Sequence, residues 1–376
     1  MTPGQDKMKA IGMLLLATFF WGTSFILMKA LVLEQQKLTP EASSWHLTAL
    51  SLVLRFGLAG MLLLLWNFRQ LKKLTGLEFY QGAVLGIVGG LGVLFQMDGV
   101  NYTSASTAAF ITQSYCIFIP LLVACRKREW PSRTVALSTA MVLIGVAILS
   151  QFDPRALKVP AEVDRTSMDA IVRSIFSRWR GEIETLIASL FFTAQILWLE
   201  RPLFAKNNSH NITFVMFVVL ALVFIPVPLS TGGFAMSVAA YSSWPAVVLI
   251  LIITFFCTNI AYGLMNHWQP HVDATRAGLI YCSEPVFTSI FALFLPQWIA
   301  LFALIDYPNE TITRQQVFGG GLIVAANLII IFQAARVIKK ERERGLETVQ
   351  HINSPVTFLG VVAETRLEAE WVDFDD

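Results

Sequence analysis

Ten blocks of apolar residues, most of them about 17–25 residues long, constrain this chain more than any other feature. That is the length an α-helix needs to cross a hydrocarbon core of about 30 Å. Lipid offers no hydrogen-bond partners, so each block must satisfy its own backbone groups and is expected to be a helix. The blocks are residues 9–31, 47–68, 79–97, 104–124, 134–150, 183–204, 211–230, 245–266, 272–295 and 315–335.

The amino-acid composition is consistent with a protein that lies in a lipid bilayer. Of the 376 residues, 55% are hydrophobic and only 14% are charged, whereas an average soluble domain carries about 25% charged residues. The net charge of +2 is spread over the segments between blocks, so we expect no nucleic-acid partner. The sequence therefore predicts an all-α polytopic membrane protein whose main partner is the lipid bilayer.

The distribution of Lys and Arg predicts the orientation, because cytoplasmic loops carry an excess of both. With a cytoplasmic N-terminus, the basic clusters at 69–73, 126–133 and 336–344 all lie inside. The short outer loops then hold only Lys37 and Arg314. Both termini are therefore expected in the cytoplasm.

Short matches between the two halves predict an internal repeat. "SASTAAFI" (104–111) aligns with "DATRAGLI" (273–280), and "EWPSR" (129–133) with "ETITR" (310–314), in the same order. Five helices per repeat force the halves into opposite orientations, as in the inverted repeats of secondary transporters. We expect repeats at 9–150 and 182–335, an outer loop at 151–181 and a cytoplasmic tail at 336–376.

Six motifs in the expected order resemble those of the EamA family in the drug/metabolite transporter superfamily. They are "FFWGTSFILMKAL" (19–31), "LRFGLAG" (54–60), "NYTSASTAAFIT" (101–112), "LIGVAIL" (143–149), "SEPVFTSIFAL" (283–293) and "NETITRQQVFGGGLIVAANLI" (309–329). The resemblance implies a ten-helix carrier with a 5+5 inverted repeat. This chain departs from the family pattern by its longer 151–181 loop, an apolar insertion at 296–309 and the long tail.

Several polar and aromatic residues lie near the predicted bilayer centre, where charged side chains are costly and usually face a pathway. For the amide side chains, two roles remain open: to form hydrogen bonds between helices, or to line a cavity. For the aromatic residues, lipid-facing or packing positions compete with a pocket. The cavity candidates are Trp21, Gln113, Tyr115, Gln195, Trp198, Asn259, Tyr262, Tyr281 and Glu284.

Glu284 and Arg55 are the two ionisable residues predicted at this depth. One interpretation is a buried ion pair that locks the second helix to the ninth. The other is a carboxylate that meets a substrate cation or exchanges a proton. In the ninth block, Pro285 removes a backbone donor and is expected to kink the helix, as is Pro120 in the repeat-related helix.

The 151–181 loop contains Met168, Ile171, Val172, Ile175, Phe176 and Trp179 at helical spacing. Apolar residues on one face with charges on the other predict a helix lying on the membrane surface. The tail is expected to be solvated. A homodimer is left open as the state of assembly.

The leading functional hypothesis is a secondary transporter that moves a small organic metabolite or drug across the inner membrane, with efflux as the expected direction. A non-transporting sensor or assembly partner is the alternative. No catalytic motif was found, and His267 and His271 are separated by Pro270, which disfavours a helical metal pair. We therefore expect no enzyme activity, no metal and no cofactor.

Overall fold

The computed structural model describes residues 3–71, 73–128, 130, 133–149, 177–199, 201–204, 206–269, 280–281, 283–329 and 332. All regular secondary structure within these ranges is helical. The expected surface helix at 168–179 lies almost wholly outside the described residues, and so does the tail at 336–376.

In the first half of the chain, the structure describes six helices. Thr75 and Ser104 begin two of them as N-caps, and Thr75 forms a reciprocal capping box with Glu78. The helices are α1 Pro3–Leu38, α2 Ser44–Leu71, α3 Gly76–Tyr102, α4 Ala105–Thr112, α5 Tyr115–Lys127 and α6 Arg133–Leu149.

The second half contains more and shorter helices. Asn208 and Ser243 cap two of them, and a 3₁₀ turn covers Pro202–Phe204. The helices are α7 Arg180–Leu199, α8 Ser209–Phe224, α9 Pro226–Thr231, α10 Gly233–Ala239, α11 Trp244–Ile252, α12 Ala261–Trp268, α13 Glu284–Ala292, α14 Leu295–Ala303 and α15 Gln316–Ile329.

Six described spans are long and apolar enough to cross a membrane, and α13 with α14 makes a seventh if the bent pair counts as one. The remaining blocks are helical where described, but they are short or interrupted. The fourth block is divided between α4 and α5, and the fifth and tenth give only α6 and α15. The described residues therefore confirm only part of the predicted set of ten membrane-spanning helices.

The ninth block differs from the prediction of a helix kinked at Pro285. Residues 280–281 are helical, Ser283 lies in a turn, and α13 begins at Glu284. Pro285 thus occupies the first turn of a new helix, where its missing N–H leaves no hydrogen bond unmade. The sharp bend lies further on: α14 leaves α13 at 56°, so "QWIALFALI" continues the helical path.

A matching interruption separates α4 from α5. Gln113 and Ser114 form a turn, and α5 begins at Tyr115. Pro120 lies inside α5, which runs through it without an assigned break. The helix that carries Pro120 is therefore interrupted before the proline and not at it.

Glycines allow α3 to pack closely against α8. A Cβ at Gly82 would lie 2.8 Å from the Ile212 carbonyl oxygen, and one at Gly86 would lie 2.7 Å from that of Met216. Real Cβ atoms do not approach backbone oxygen so closely, so only glycine permits this separation. Residues of this pair share the main hydrophobic core with residues of α1 and α2.

Candidate functional site

A cavity lies between the helices of the two halves. Its wall combines aromatic rings, a carboxylate, a guanidinium and amides, whereas the surrounding core is apolar. It is lined by Trp21, Ser24, Arg55, Val93, Gln96, Thr112, Tyr115, Phe192, Gln195, Ile196, Tyr262, Met265, Tyr281 and Glu284.

Six of the nine cavity candidates from the sequence line this space, as does Arg55. The six are Trp21, Tyr115, Gln195, Tyr262, Tyr281 and Glu284. Gln113 lies behind the wall, fully buried. Trp198 and Asn259 are elsewhere: the Trp198 Nε1 donates to the Gln81 carbonyl (3.3 Å), and the Asn259 Nδ2 approaches the Thr254 carbonyl of its own helix (3.4 Å).

Glu284 is held by an amide from the break between α4 and α5. The Gln113 Nε2 donates to the Glu284 Oε2 at 3.0 Å and also to the Tyr281 carbonyl at 3.0 Å. Among the described residues, no hydrogen bond reaches the second carboxylate oxygen, Oε1. This leaves an acceptor at the cavity wall, on a side chain that is only 6% exposed.

Of the two interpretations of Arg55 and Glu284, the structure does not contain the buried ion pair. The Arg55 Nε donates to the Thr258 Oγ1 at 2.5 Å, and Nη2 donates to the Cys257 carbonyl at 3.2 Å. Within the described ranges, the ion pairs involve only Lys37, Arg180 and their carboxylates. Glu284 and Arg55 are instead two separate charged groups on one cavity wall.

A π-helical segment explains where Arg55 binds. Residues Ile253–Ile260 adopt a π-helix between α11 and α12, and the Thr258 hydroxyl donates to the Ile253 carbonyl five residues earlier, at 3.1 Å. The wider turn changes which backbone groups find partners along the helix, and such segments occur often at functional sites. Here the Cys257 carbonyl and the Thr258 hydroxyl oxygen both accept from Arg55.

Three aromatic residues form one side of the cavity. The Trp21 ring centroid lies 5.5 Å from that of Tyr262 and 6.0 Å from that of Tyr281. The Tyr281 hydroxyl donates to the Gln269 Oε1 at 2.8 Å. The Trp21 Nε1 is buried and has no hydrogen-bond partner within the described part of the chain.

Gln195 reaches this space because Gly89 opposite has no side chain. A Cβ at Gly89 would lie 2.6 Å from the Gln195 Nε2. Further along the wall, the Gln96 Nε2 makes a long contact of 3.4 Å with the Thr112 Oγ1. The absence of a side chain at Gly89 therefore sets how deeply the Gln195 amide enters the site.

Sequence reasoning missed seven lining residues. Ser24 and Thr112 lie one turn from candidates in the same blocks, and Gln96 lies at the end of the third block. The apolar lining residues carry no signal, because cavity-facing and lipid-facing apolar residues look alike in the sequence. The seven are Ser24, Val93, Gln96, Thr112, Phe192, Ile196 and Met265.

The site suits reversible binding of a small solute. Aromatic faces attract flat or cationic groups, while Glu284 and Arg55 offer an acceptor and a donor on the same wall. Among the described residues, no group of three or more His, Cys, Asp or Glu is placed to hold a metal ion.

Comparison with known proteins places this geometry in context. The sequence model of the EamA-like transporter family matches residues 8–151. One protein of Archaeoglobus fulgidus named "uncharacterized transporter" is 26% identical over 69% of this chain and 71% of its own length. A second protein of that name and organism is 24% identical over 75% of this chain and 87% of its own length.

Proposed function

We propose that this chain, whose residues 8–151 match the EamA-like transporter family, is a secondary transporter that carries a small organic solute by alternating access. The cavity among α1, α2, α3, α7 and α13 is the proposed binding site. Its mixture of rings, carboxylate and guanidinium carries the proposal, since an apolar core needs none of these groups.

The substrate class follows from the wall chemistry. Glu284 presents one unbonded oxygen, and Trp21 with Tyr262 and Tyr281 presents aromatic surface next to it. An ammonium or other hydrogen-bond donor would meet the carboxylate, while a flat apolar part would contact the rings. The Arg55 guanidinium on the same wall would donate hydrogen bonds to an anionic or carbonyl group.

The repeat supports alternating access. Under the alignment of "SASTAAFI" with "DATRAGLI", Tyr115 corresponds to Glu284, and these residues begin α5 and α13 after equivalent breaks. Gln113, from the first break, holds Glu284 at the second. Rocking of two inverted repeats about such a contact is how many carriers expose a central site to either side.

We further propose efflux across the inner, or plasma, membrane, by likeness to bacterial family members. Metabolite profiling tests the function and the direction together. Cells that overproduce the protein should accumulate at least one small organic solute in the medium, relative to cells that produce Glu284→Gln at equal membrane abundance. Identical profiles in the two strains would contradict the proposal.

A further inference from the structure

A second charged cluster, outside the cavity, joins the C-terminal end of α3 to the start of α7. It consists of Asp98, Arg180 and Glu184. The Asp98 and Glu184 side chains are fully buried, while that of Arg180 is 21% exposed. Buried charges are expensive unless they are paired, so the balance of charge within this cluster matters.

One guanidinium serves both carboxylates. The Arg180 Nε donates to the Glu184 Oε1 at 2.8 Å, and Nη2 donates to the Asp98 Oδ2. Nε and Nη2 form a single edge of the guanidinium, so the two carboxylates lie side by side along that edge. With both ionised, the cluster carries a net charge of −1 in a buried position.

The two remaining carboxylate oxygens differ in their hydrogen bonding. The Asp98 Oδ1 accepts from the Thr48 hydroxyl of α2 at 3.2 Å. The Glu184 Oε2 is buried and has no hydrogen-bond partner in the described part of the chain. A buried carboxylate oxygen without a donor costs about as much as a lost hydrogen bond to a charged group.

A proton on the Glu184 Oε2 would remove both the net negative charge and the unpaired acceptor. It would convert Oε2 from an unpaired acceptor into a donor facing the Asp98 carboxylate, and it would bring the cluster to neutrality with Arg180. Two close carboxylates commonly share one proton for this reason.

Among the described residues, the other groups around the cluster do not supply a second positive charge. From α2, Ser44 accepts from the Arg180 Nη2 at 3.1 Å and from the Tyr102 hydroxyl at 2.9 Å. The Arg180 guanidinium also lies 4.1 Å from the Tyr102 ring centroid. Two nearby charged side chains, Lys29 of α1 and Glu182 of α7, both bind Thr103 instead.

We propose that Asp98, Glu184 and Arg180 form a proton-binding site that is separate from the solute cavity. The site joins α7 of the second half to α2 and α3 of the first, so losing its proton places an unbalanced charge between the halves. Its role in coupling a proton to transport rests on the proposed carrier function. Proton binding itself does not.

Infrared difference spectroscopy of the purified protein in lipid tests the site directly, with the proton as the probe. A protonated carboxyl group has a C=O band that disappears when the group ionises. We expect wild type to show such a band and Glu184→Gln to lose one protonated carboxyl per protein. Glu182→Gln, on the same helix, is the matched control and should keep the band, as should Glu284→Gln.

Asp98→Asn provides a second route if Glu184→Gln does not fold. The remaining Glu184 carboxylate would then balance Arg180 without a proton, so this variant should lose the band too. An unchanged band in folded Glu184→Gln or Asp98→Asn would overturn the proposal. If Glu184→Gln or Asp98→Asn loses the band but wild type shows no solute flux, the carrier function is refuted and the proton-binding site is retained.

Discussion

Within the described part of the chain, Glu284 is held by one of its two carboxylate oxygens. Gln113 donates to Oε2, and the cavity borders the rest of the group. A charged side chain at the bilayer centre costs roughly 2.5–3.5 kcal/mol on insertion scales, and one amide hydrogen bond does not offset that cost. The carboxylate is therefore better explained by an exchangeable partner than by helix packing.

Replacing Glu284 with Gln removes the charge and keeps the shape. We expect Glu284→Gln to reach the membrane in normal amounts and to lower solute flux at least tenfold, because the acceptor at the cavity wall is lost. Flux per mole of protein, measured in vesicles, checks this. Glu34→Gln is the control: Glu34 is also buried, but it pairs with Lys37 at 3.5 Å on its own helix.

Arg55 distinguishes a structural role from a functional one. It is a buried cation without a carboxylate partner in the described chain, and burying a charge that has no opposite charge beside it is costly. We expect Arg55→Met to leave the thermal unfolding midpoint unchanged or raised, and to abolish flux. A lowered midpoint with flux retained would instead assign Arg55 to architecture.

Depth in the bilayer and polarity were enough to predict much of the cavity from the sequence, including Trp21, Tyr262 and Glu284. The partners of these groups were not predictable. The ion pair between Arg55 and Glu284, one of two interpretations of these residues, is absent from the structure, because a sequence places two charges at one depth without showing which helix faces which. The Cys257 carbonyl is bound by Arg55 within a π-helical segment, which apolar periodicity does not reveal.

At the scale of elements, the α3–α8 contact depends on glycines that no side chain can replace. A Cβ at Gly86 would meet the Met216 carbonyl oxygen at 2.7 Å and the Leu220 backbone nitrogen at 3.2 Å. Both atoms belong to helical backbone and cannot yield locally, so the helices would have to separate. By contrast, a Cβ at Gly321 meets nothing within 4 Å.

The same substitution at these two glycines should therefore have opposite effects. We expect Gly86→Ala to destabilise the protein by about 1–3 kcal/mol through overpacking. Gly321→Ala should be neutral or stabilising by up to about 1 kcal/mol through helix propensity. Thermal unfolding in one detergent measures both variants, and equal shifts of the same sign would refute the close α3–α8 contact.

Helix positions were predicted well from apolar blocks, whereas helix interruptions were not. Pro285 suggested a kink, but the chain breaks just before it and starts α13 at Glu284. The break at Gln113–Ser114 contains no proline at all. Both breaks lie immediately before a cavity-lining residue, Tyr115 or Glu284, and the apolar blocks of the sequence give no signal for them.

At the scale of the whole molecule, the charge pattern makes a prediction about topology. Lys and Arg at 336–344 place the tail in the cytoplasm if they follow the tenth span. A fluorescent protein fused after residue 376 should fluoresce, and alkaline phosphatase inserted within 151–176 should be active outside the membrane. Fluorescence from the fusion together with inactive phosphatase would contradict a tenfold crossing with both termini inside.

The central claim is that the cavity carries a solute across the bilayer. The most direct measurement is flux of the leading profiled metabolite into proteoliposomes that contain the purified protein. We predict saturable flux well above that of protein-free liposomes, and a loss of most of it in Glu284→Gln but not in Glu34→Gln. Wild-type flux equal to that of protein-free liposomes, for every metabolite that profiling identifies, would contradict the account.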